Sequence, residues 1–159
     1  MREPTTAPPL SRASRRLAGV LLVALPTVVY GGTSLLTLLL NDPAYADNAL
    51  RRDLWRAGHA HAGVLLVLAL VVLRYVDEAQ LSDRLRAVVR NAVPGAALLL
   101  PAAFFLSVPP PTATEPNALI FLAYVGAVLL ATGLLLLGVG LLRSPRRDPT
   151  APRASRSRG

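Results

Sequence analysis

The chain has 159 residues, of which 53% are hydrophobic and 16% are charged, and its formal net charge is +8. It contains no cysteine, which excludes a disulfide framework, a thiol nucleophile and cysteine-ligated zinc or iron–sulfur sites. The net charge comes from arginines that flank apolar segments. Arginines in such positions orient a protein in a membrane, and this explains them better than nucleic-acid binding does. We therefore expect no nucleic-acid partner.

The charged residues are distributed unevenly along the chain. Four long runs contain no Asp, Glu, Lys or Arg, namely residues 17–41, 57–73, 91–114 and 116–142. A soluble core of this size interleaves shorter apolar stripes with charge on its solvated faces. Long uncharged runs between charge clusters are typical of membrane spans instead. The pattern predicts an all-α protein, an antiparallel bundle of four transmembrane helices in the lipid bilayer.

The first predicted span follows a polar N-terminal segment. Residues 1–16 are rich in Pro, Thr, Ser and Arg, which predicts a disordered tail. The apolar run after them is too long for the hydrophobic region of a signal peptide, so it is interpreted as a retained span over residues 17–40. Asp42 precedes Pro43 and ends the span, because the residue before a proline avoids the helical region.

The second span is predicted over about residues 57–75. The segment before it, residues 44–56, is polar but periodic and has Asn48 and Asp53 as candidate N-caps. This segment predicts either a short surface helix or an early start of the second span.

The second half of the chain repeats the alternation of polar and apolar segments. A charged connection is predicted at residues 76–90 and a third span at residues 91–108. A proline-rich loop at residues 107–117 then leads to a fourth span at residues 117–142, and a disordered tail follows at residues 143–159. Pro94 and Pro101 predict a bend in the third span.

The arginines predict the orientation of the bundle. Fourteen of the 17 lie in the two tails and in the connection between the second and third spans. The positive-inside rule places that side, with both termini, in the cytoplasm. The use of arginine without lysine is typical of a high-GC bacterial genome, so the plasma membrane of a bacterium is the expected location. Trp55, Arg56 and Arg74 are predicted to anchor the second span at the two interfaces.

The most specific local feature is the sequence WRAGHAHAG at residues 55–63, which contains both histidines of the chain. An ionisable residue within a span is by default a candidate functional residue. His59 and His61 point about 200° apart on an α-helix, so joint ligation of a metal ion requires local unwinding. Such a site also requires a carboxylate such as Asp53 or Glu115, or a second subunit.

Two alternatives to a metal site remain open for the histidines. One histidine can bond a backbone carbonyl or a hydroxyl of a neighbouring helix while the other meets interfacial water. A proton-linked role is the other alternative, because the charge of histidine changes near neutral pH.

The segment Arg56…His59-Ala60-His61 resembles the H-x-H openings of spans in haem–copper oxidase-like and NnrS-like membrane proteins. This resemblance implies a haem or a transition metal as cofactor. Those families place further histidines on other helices, and this sequence has none. As a whole, the chain is similar to small four-span membrane proteins of high-GC, actinobacterial-type bacteria, a resemblance that implies no particular activity.

Small residues recur along the fourth span. Gly126, Gly133 and Gly140 follow at seven-residue intervals, which places them within about 40° of one another on a helix. A row of alanines lies beside them, at Ala123, Ala127 and Ala131. Such stripes favour close helix–helix packing, and packing inside the bundle is favoured over packing between subunits because three other helices need a partner.

Hydroxyl groups occur in the first and fourth spans, at Thr27, Tyr30, Thr33, Ser34 and Thr37 and at Tyr124 and Thr132. In membranes such groups either line a polar path or, more often, bond carbonyls of their own or a neighbouring helix.

These features favour a non-catalytic membrane protein, structural or accessory to a larger membrane complex or a homo-oligomer. No phosphate-binding glycine loop, nucleophile elbow or pair of intramembrane carboxylates occurs in the sequence, so no enzyme is predicted. The alternatives are a metal- or haem-binding membrane protein that uses His59 and His61, and a small transporter or proton-linked carrier.

Overall fold

The computed structural model describes residues 10–143, and this part of the chain is helical with no strands. Its elements are α1 (Arg12–Asn41), α2 (Pro43–Ala46), α3 (Ala49–Tyr75), α4 (Asp83–Leu106), a 3₁₀ turn (Ala118–Phe121) and α5 (Leu122–Leu142). The helices α1, α3, α4 and α5, the last with its 3₁₀ turn, are each long and apolar enough to cross a membrane. The all-α fold with four long apolar helices is confirmed. The predicted tails fall mostly on residues 1–9 and 144–159, outside the described part.

The helices begin earlier than the uncharged runs because polar side chains cap them. The α1 helix begins at Arg12 rather than at the predicted position 17, since the Ser11 hydroxyl accepts a backbone N–H of the first turn at 3.2 Å. The α3 helix begins at Ala49, where the side chain of Asn48 accepts a first-turn N–H at 3.0 Å. Of the two alternatives for residues 44–56, the structure shows an early start of the second long helix, which carries Arg51, Arg52 and Arg56, and a separate four-residue helix α2 precedes it. Hydropathy does not report such boundaries, because caps lie outside the apolar run.

Consecutive spanning helices run antiparallel and pack in the order α1, α3, α4, α5. The direction is visible at α4 and α5, where Gly126 lies beside Leu100 while Gly133, further along α5, lies beside the earlier residue Val93. The α4 helix is central: half of its most apolar window is buried, against 6% for α1. Fully buried apolar residues of the core lie on α3 and α4, at Ala69, Val72, Leu73, Val89, Val93 and Ala96.

The glycines of α5 lie on the face that meets the rest of the bundle. Gly126 and Gly133 are buried against α4, and Gly140 is buried against the connection between α3 and α4. Of the neighbouring alanines, Ala123 packs against the core. The other two, Ala127 and Ala131, are exposed. Each four-residue step along the alanine row turns about 40° further round the helix. The later alanines therefore lie outside the α5 face on which the glycines contact the bundle.

A partly buried polar cluster holds the N-terminal end of α1 against the rest of the bundle. Asp77, in the connection after α3, accepts the backbone N–H of Ser11 at 3.0 Å and a guanidinium N–H of Arg90 at 3.0 Å. Arg90 also donates to the hydroxyl of the fully buried Ser14 at 3.1 Å. Burial opposes ionisation of Asp77, but the hydrogen bonds from Ser11, Ser14 and Arg90 outweigh it and lower the pKa of this carboxyl group. We call this side of the molecule the Arg90 end and the opposite side the Trp55 end.

Candidate functional site: a groove between α1 and α3

The two histidines face different neighbours, as the helical spacing predicts. His59 faces α1, where a Cβ added to Gly32 would lie 3.0 Å from two atoms of the imidazole ring. His61 faces α4, with its ring centroid 5.1 Å from that of Phe104. The Nδ1 atom of His61 lies 2.7 Å from the carbonyl oxygen of Ala57 and donates to it, because a carbonyl oxygen only accepts. Gly32 of α1 thus makes room for the ring of His59. The ring of His61 bonds a carbonyl of its own helix rather than one of a neighbouring helix.

The residues considered as metal ligands are not brought together. Within residues 10–143, no group of three or more His, Asp or Glu side chains is arranged to hold a metal ion. His59 and Asp53 line the same groove. His61 packs against α4 instead, and Glu115 is exposed in the loop between α4 and the 3₁₀ turn.

A groove of about 740 Å³ opens between α1, α2 and α3 at the Trp55 end. Arg56 and Asp53 lie at its mouth, and Tyr45 and His59 form part of its wall. The remaining wall is mostly apolar and comes from Leu35, Leu36 and Leu39 of α1 and from Ala57 and Ala60 of α3. The mouth is therefore charged and the wall is apolar.

This groove continues along the bundle towards the Arg90 end. A second hollow of about 430 Å³ shares His59 and Ala60 with the first. A third hollow, of about 730 Å³, shares Val28, Gly63 and Val67 with the second and is apolar throughout. We call the three hollows together the α1–α3 groove.

An aromatic cluster packs beside the mouth of the groove. The Trp55 ring lies 5.7 Å from that of the fully buried Tyr45 and 6.1 Å from that of Phe105, measured between centroids. The Arg51 guanidinium lies over the indole, 4.2 Å from its centroid, in a cation–π contact. Burial raises the pKa of Tyr45. The positive charges of Arg56, Arg52 and Arg51 of α3 oppose this increase in pKa. Three arginines of α3 thus lie close to a buried aromatic ring at the Trp55 end.

The predicted interfacial anchors lie at the two ends of α3. Trp55 and Arg56 lie in its first half at the Trp55 end, and Arg74 lies in its last turn. Arg74 forms an ion pair with Glu78 in the following connection.

Polar side chains of α1 lie on the face turned away from α3. Val28 and Gly32 contact α3, and Tyr30, two residues from each, points about 200° away from both. The residues on this outer face are all exposed, namely Thr27, Tyr30, Thr33, Thr37 and Asn41. We call them the α1 polar stripe.

The hydroxyls of the stripe bond their own helix, as sequence reasoning favours. Those of Thr27, Thr33 and Thr37 donate to α1 carbonyl oxygens at 2.7, 2.8 and 3.0 Å. Tyr30 is 75% exposed. It lies near the middle of the uncharged run 17–41.

No protein-family model matches this chain, and comparisons with curated proteins and with solved structures find no match. By their length and composition, the four apolar helices are compatible with a multi-pass integral membrane protein.

Proposed function

We propose that the chain is a non-catalytic accessory or structural subunit that docks on another membrane protein through the α1 polar stripe. The main observation that supports this proposal is the exposure of Tyr30. Its side chain is 75% exposed at a depth where hydrocarbon surrounds an isolated bundle. A phenol hydroxyl in hydrocarbon finds no hydrogen-bond partner, which is costly, and a facing helix of another protein supplies one.

The other edge of the bundle, formed by α5, has a different surface. Val128 and Leu135 expose 66% and 69% of their area there, and lipid chains solvate such residues well. The hydroxyls of α5 are those of the exposed Tyr124 near its start and of Thr132 near its middle, whereas α1 presents a row of hydroxyls and an amide. The hydroxyl protons of Thr27, Thr33 and Thr37 are donated to carbonyls of α1, so their oxygens are acceptors for a donor on a second helix. These differences favour α1 over α5 as the docking edge.

A photoreactive benzoyl-phenylalanine placed at position 23 is expected to form a discrete protein adduct in native membranes, because Val23 is 78% exposed and lies two turns before Tyr30 on the same face of α1. The matched position is Val128, which is exposed at the middle of α5 and is expected to yield lipid adducts. Thr33→Val and Thr37→Val keep the shape of the stripe and remove two hydroxyls. Together they are expected to lower the adduct yield about eightfold, since interhelical hydrogen bonds in membranes contribute on average about 0.6 kcal/mol each.

Mass spectrometry of the adducts distinguishes the outcomes. A partner of a different sequence whose yield falls in the valine variants supports the accessory role. An adduct between two copies of this chain would replace that role by self-association. Lipid adducts alone at position 23, or the same protein adduct at positions 23 and 128, would contradict docking through α1.

We also propose that the Arg90 end and both termini lie in the bacterial cytoplasm. The support is the distribution of arginines along the sequence, since fourteen of 17 fall in the two terminal segments and in the connection between α3 and α4. A fluorescent reporter that matures only in the cytoplasm is expected to be active after Gly159, and a phosphatase active only outside the cytoplasm is expected to be active after Thr112. Activity of the phosphatase after Gly159 would reverse this orientation.

A further inference from the structure

We infer that the α1–α3 groove binds a zwitterionic phospholipid, with its phosphate at Arg56, its amine at Asp53 and an acyl chain along the apolar part of the groove. The groove lies on a different face of α1 from the polar stripe. The inference is therefore independent of the docking role, and either can fail without the other.

The shape of the groove selects an elongated amphipathic ligand. Its three hollows share residues from His59 down to Val67, so they follow the direction of two membrane-spanning helices. Glycine or alanine stands at Gly32, Ala60 and Gly63, where larger side chains would fill the space. The mouth of the groove is charged, and the third hollow, which is furthest from the mouth, is lined by apolar residues. In a bilayer, a lipid with a charged headgroup at one end and an acyl chain along the helices has this distribution of polarity.

The two charges at the mouth select the headgroup. Asp53 and Arg56 are three residues apart on α3, which places them as neighbours on one helix face. Both are exposed, and Arg56 makes no hydrogen bond or ion pair within the described part of the chain. Arg52 lies 3.8 Å from one oxygen of Asp53. A guanidinium binds phosphate strongly, while the carboxylate of Asp53 attracts an ammonium group and repels a headgroup with further negative charge.

His59 adds a contact below the headgroup. It follows Arg56 by three residues, which is about 4.5 Å deeper along the helix axis. Its ring lines both the first and the second hollow, and it makes no hydrogen bond within residues 10–143. The ester carbonyls of a glycerophospholipid lie just below its phosphate, where an imidazole N–H can donate to them. The order of Asp53, Arg56 and His59 along α3 thus matches the order of amine, phosphate and ester in the lipid.

Native mass spectrometry of the full-length protein in mild detergent tests this site. Phosphatidylethanolamine and phosphatidylglycerol with identical acyl chains are the probes, and the former is expected to bind about tenfold more tightly. Asp53→Asn is expected to remove this preference. Arg56→Gln is expected to weaken both lipids about tenfold, while Arg84→Gln, an exposed arginine at the Arg90 end, leaves both unchanged.

A second pair of variants tests the acyl-chain part. Ala60→Phe fills the groove and is expected to weaken both lipids, whereas Ala131→Phe on the exposed face of α5 leaves them unchanged. Ala60 and Arg56 are both exposed, so the thermal unfolding midpoints of the lipid-free variants are expected to equal that of the wild type.

The remaining outcomes would overturn the inference. Equal binding of the two lipids by the wild type, or a preference for phosphatidylglycerol, contradicts the amine contact. Binding that survives both Arg56→Gln and Ala60→Phe places the lipid elsewhere. Displacement of the lipid by inorganic phosphate alone would show a headgroup site without a bound acyl chain.

Discussion

Gly126→Val and Gly133→Val are each expected to lower the free energy of unfolding by about 3 kcal/mol, at the upper end of the usual cost of overpacking. A Cβ at Gly126 would lie 2.8 Å from Cγ of Leu100, and one at Gly133 would lie 2.9 Å from Cγ2 of Val93. The backbone nitrogen of Leu100 is also only 3.3 Å from the first position. A backbone atom cannot rotate away, so α5 must move off α4. The measurement is thermal or denaturant unfolding in a mild detergent.

The same helix provides a matched control. A Cβ at Gly138 meets no atom within 4 Å, so Gly138→Val is expected to leave stability nearly unchanged. Gly140→Val is expected to fall between these cases, because its nearest neighbour, 2.8 Å away, is the side chain of Leu81, which lies in a connection. A Gly138→Val variant as unstable as Gly133→Val would contradict packing of α5 through the glycine seam.

Asp77→Ala and Arg90→Ala are each expected to destabilise the protein by about 1–3 kcal/mol, the cost of removing one partner from a partly buried, charged hydrogen-bond cluster. The two side chains are only 18% and 17% exposed, and they are 3.0 Å apart. Asp83→Ala is the control, because the side chain of Asp83 is 98% exposed in its pair with Arg86. An exposed pair contributes at most about 1 kcal/mol. Equal effects of Asp77→Ala and Asp83→Ala in detergent unfolding would contradict a structural role for the cluster.

The stability contribution of Asp77 is expected to be lost in acid. Its pKa is lower in the folded protein than the ordinary value of 3.8, so the unfolded state binds more protons between these two values and stability rises with pH there. The contribution is fully present above the ordinary value and is lost as the pH falls through the folded value. Unfolding of the wild type and of Asp77→Asn, followed from neutral pH into acid, is therefore expected to converge at low pH. A stability difference that stays constant down to acid pH would argue against ionisation of Asp77 in the folded state.

The spans were predictable from the sequence because lipid imposes one simple condition. Hydrocarbon solvates neither charges nor unpaired backbone groups, so charge-free runs of sufficient length must be helical. Local chemistry adds further detail, since Asn48 was a candidate cap and does begin α3. The divergence of His59 and His61 follows from helix geometry alone.

The candidate site was only partly predictable. Arg56, Asp53 and His59 were recognised on α3 from their types and spacing, whereas the α1 side of the groove and the burial of Tyr45 were not. The available signal for the burial of Tyr45 was its position as the one aromatic residue in the polar segment between Pro43 and Asp47. Hydropathy cannot report its burial, because α2 folds back over the end of α3.

By itself the sequence determined four apolar helices, their order along the chain and the faces that their small and polar residues share. Those properties depend on neighbours within one or two helical turns. Only the tertiary structure decided that Ser11, Ser14, Asp77 and Arg90 form one cluster and that α1 leaves a groove beside α3. Such contacts join residues far apart in the chain, and they depend on which side chains are small enough for two helices to approach, as Gly32 is for His59.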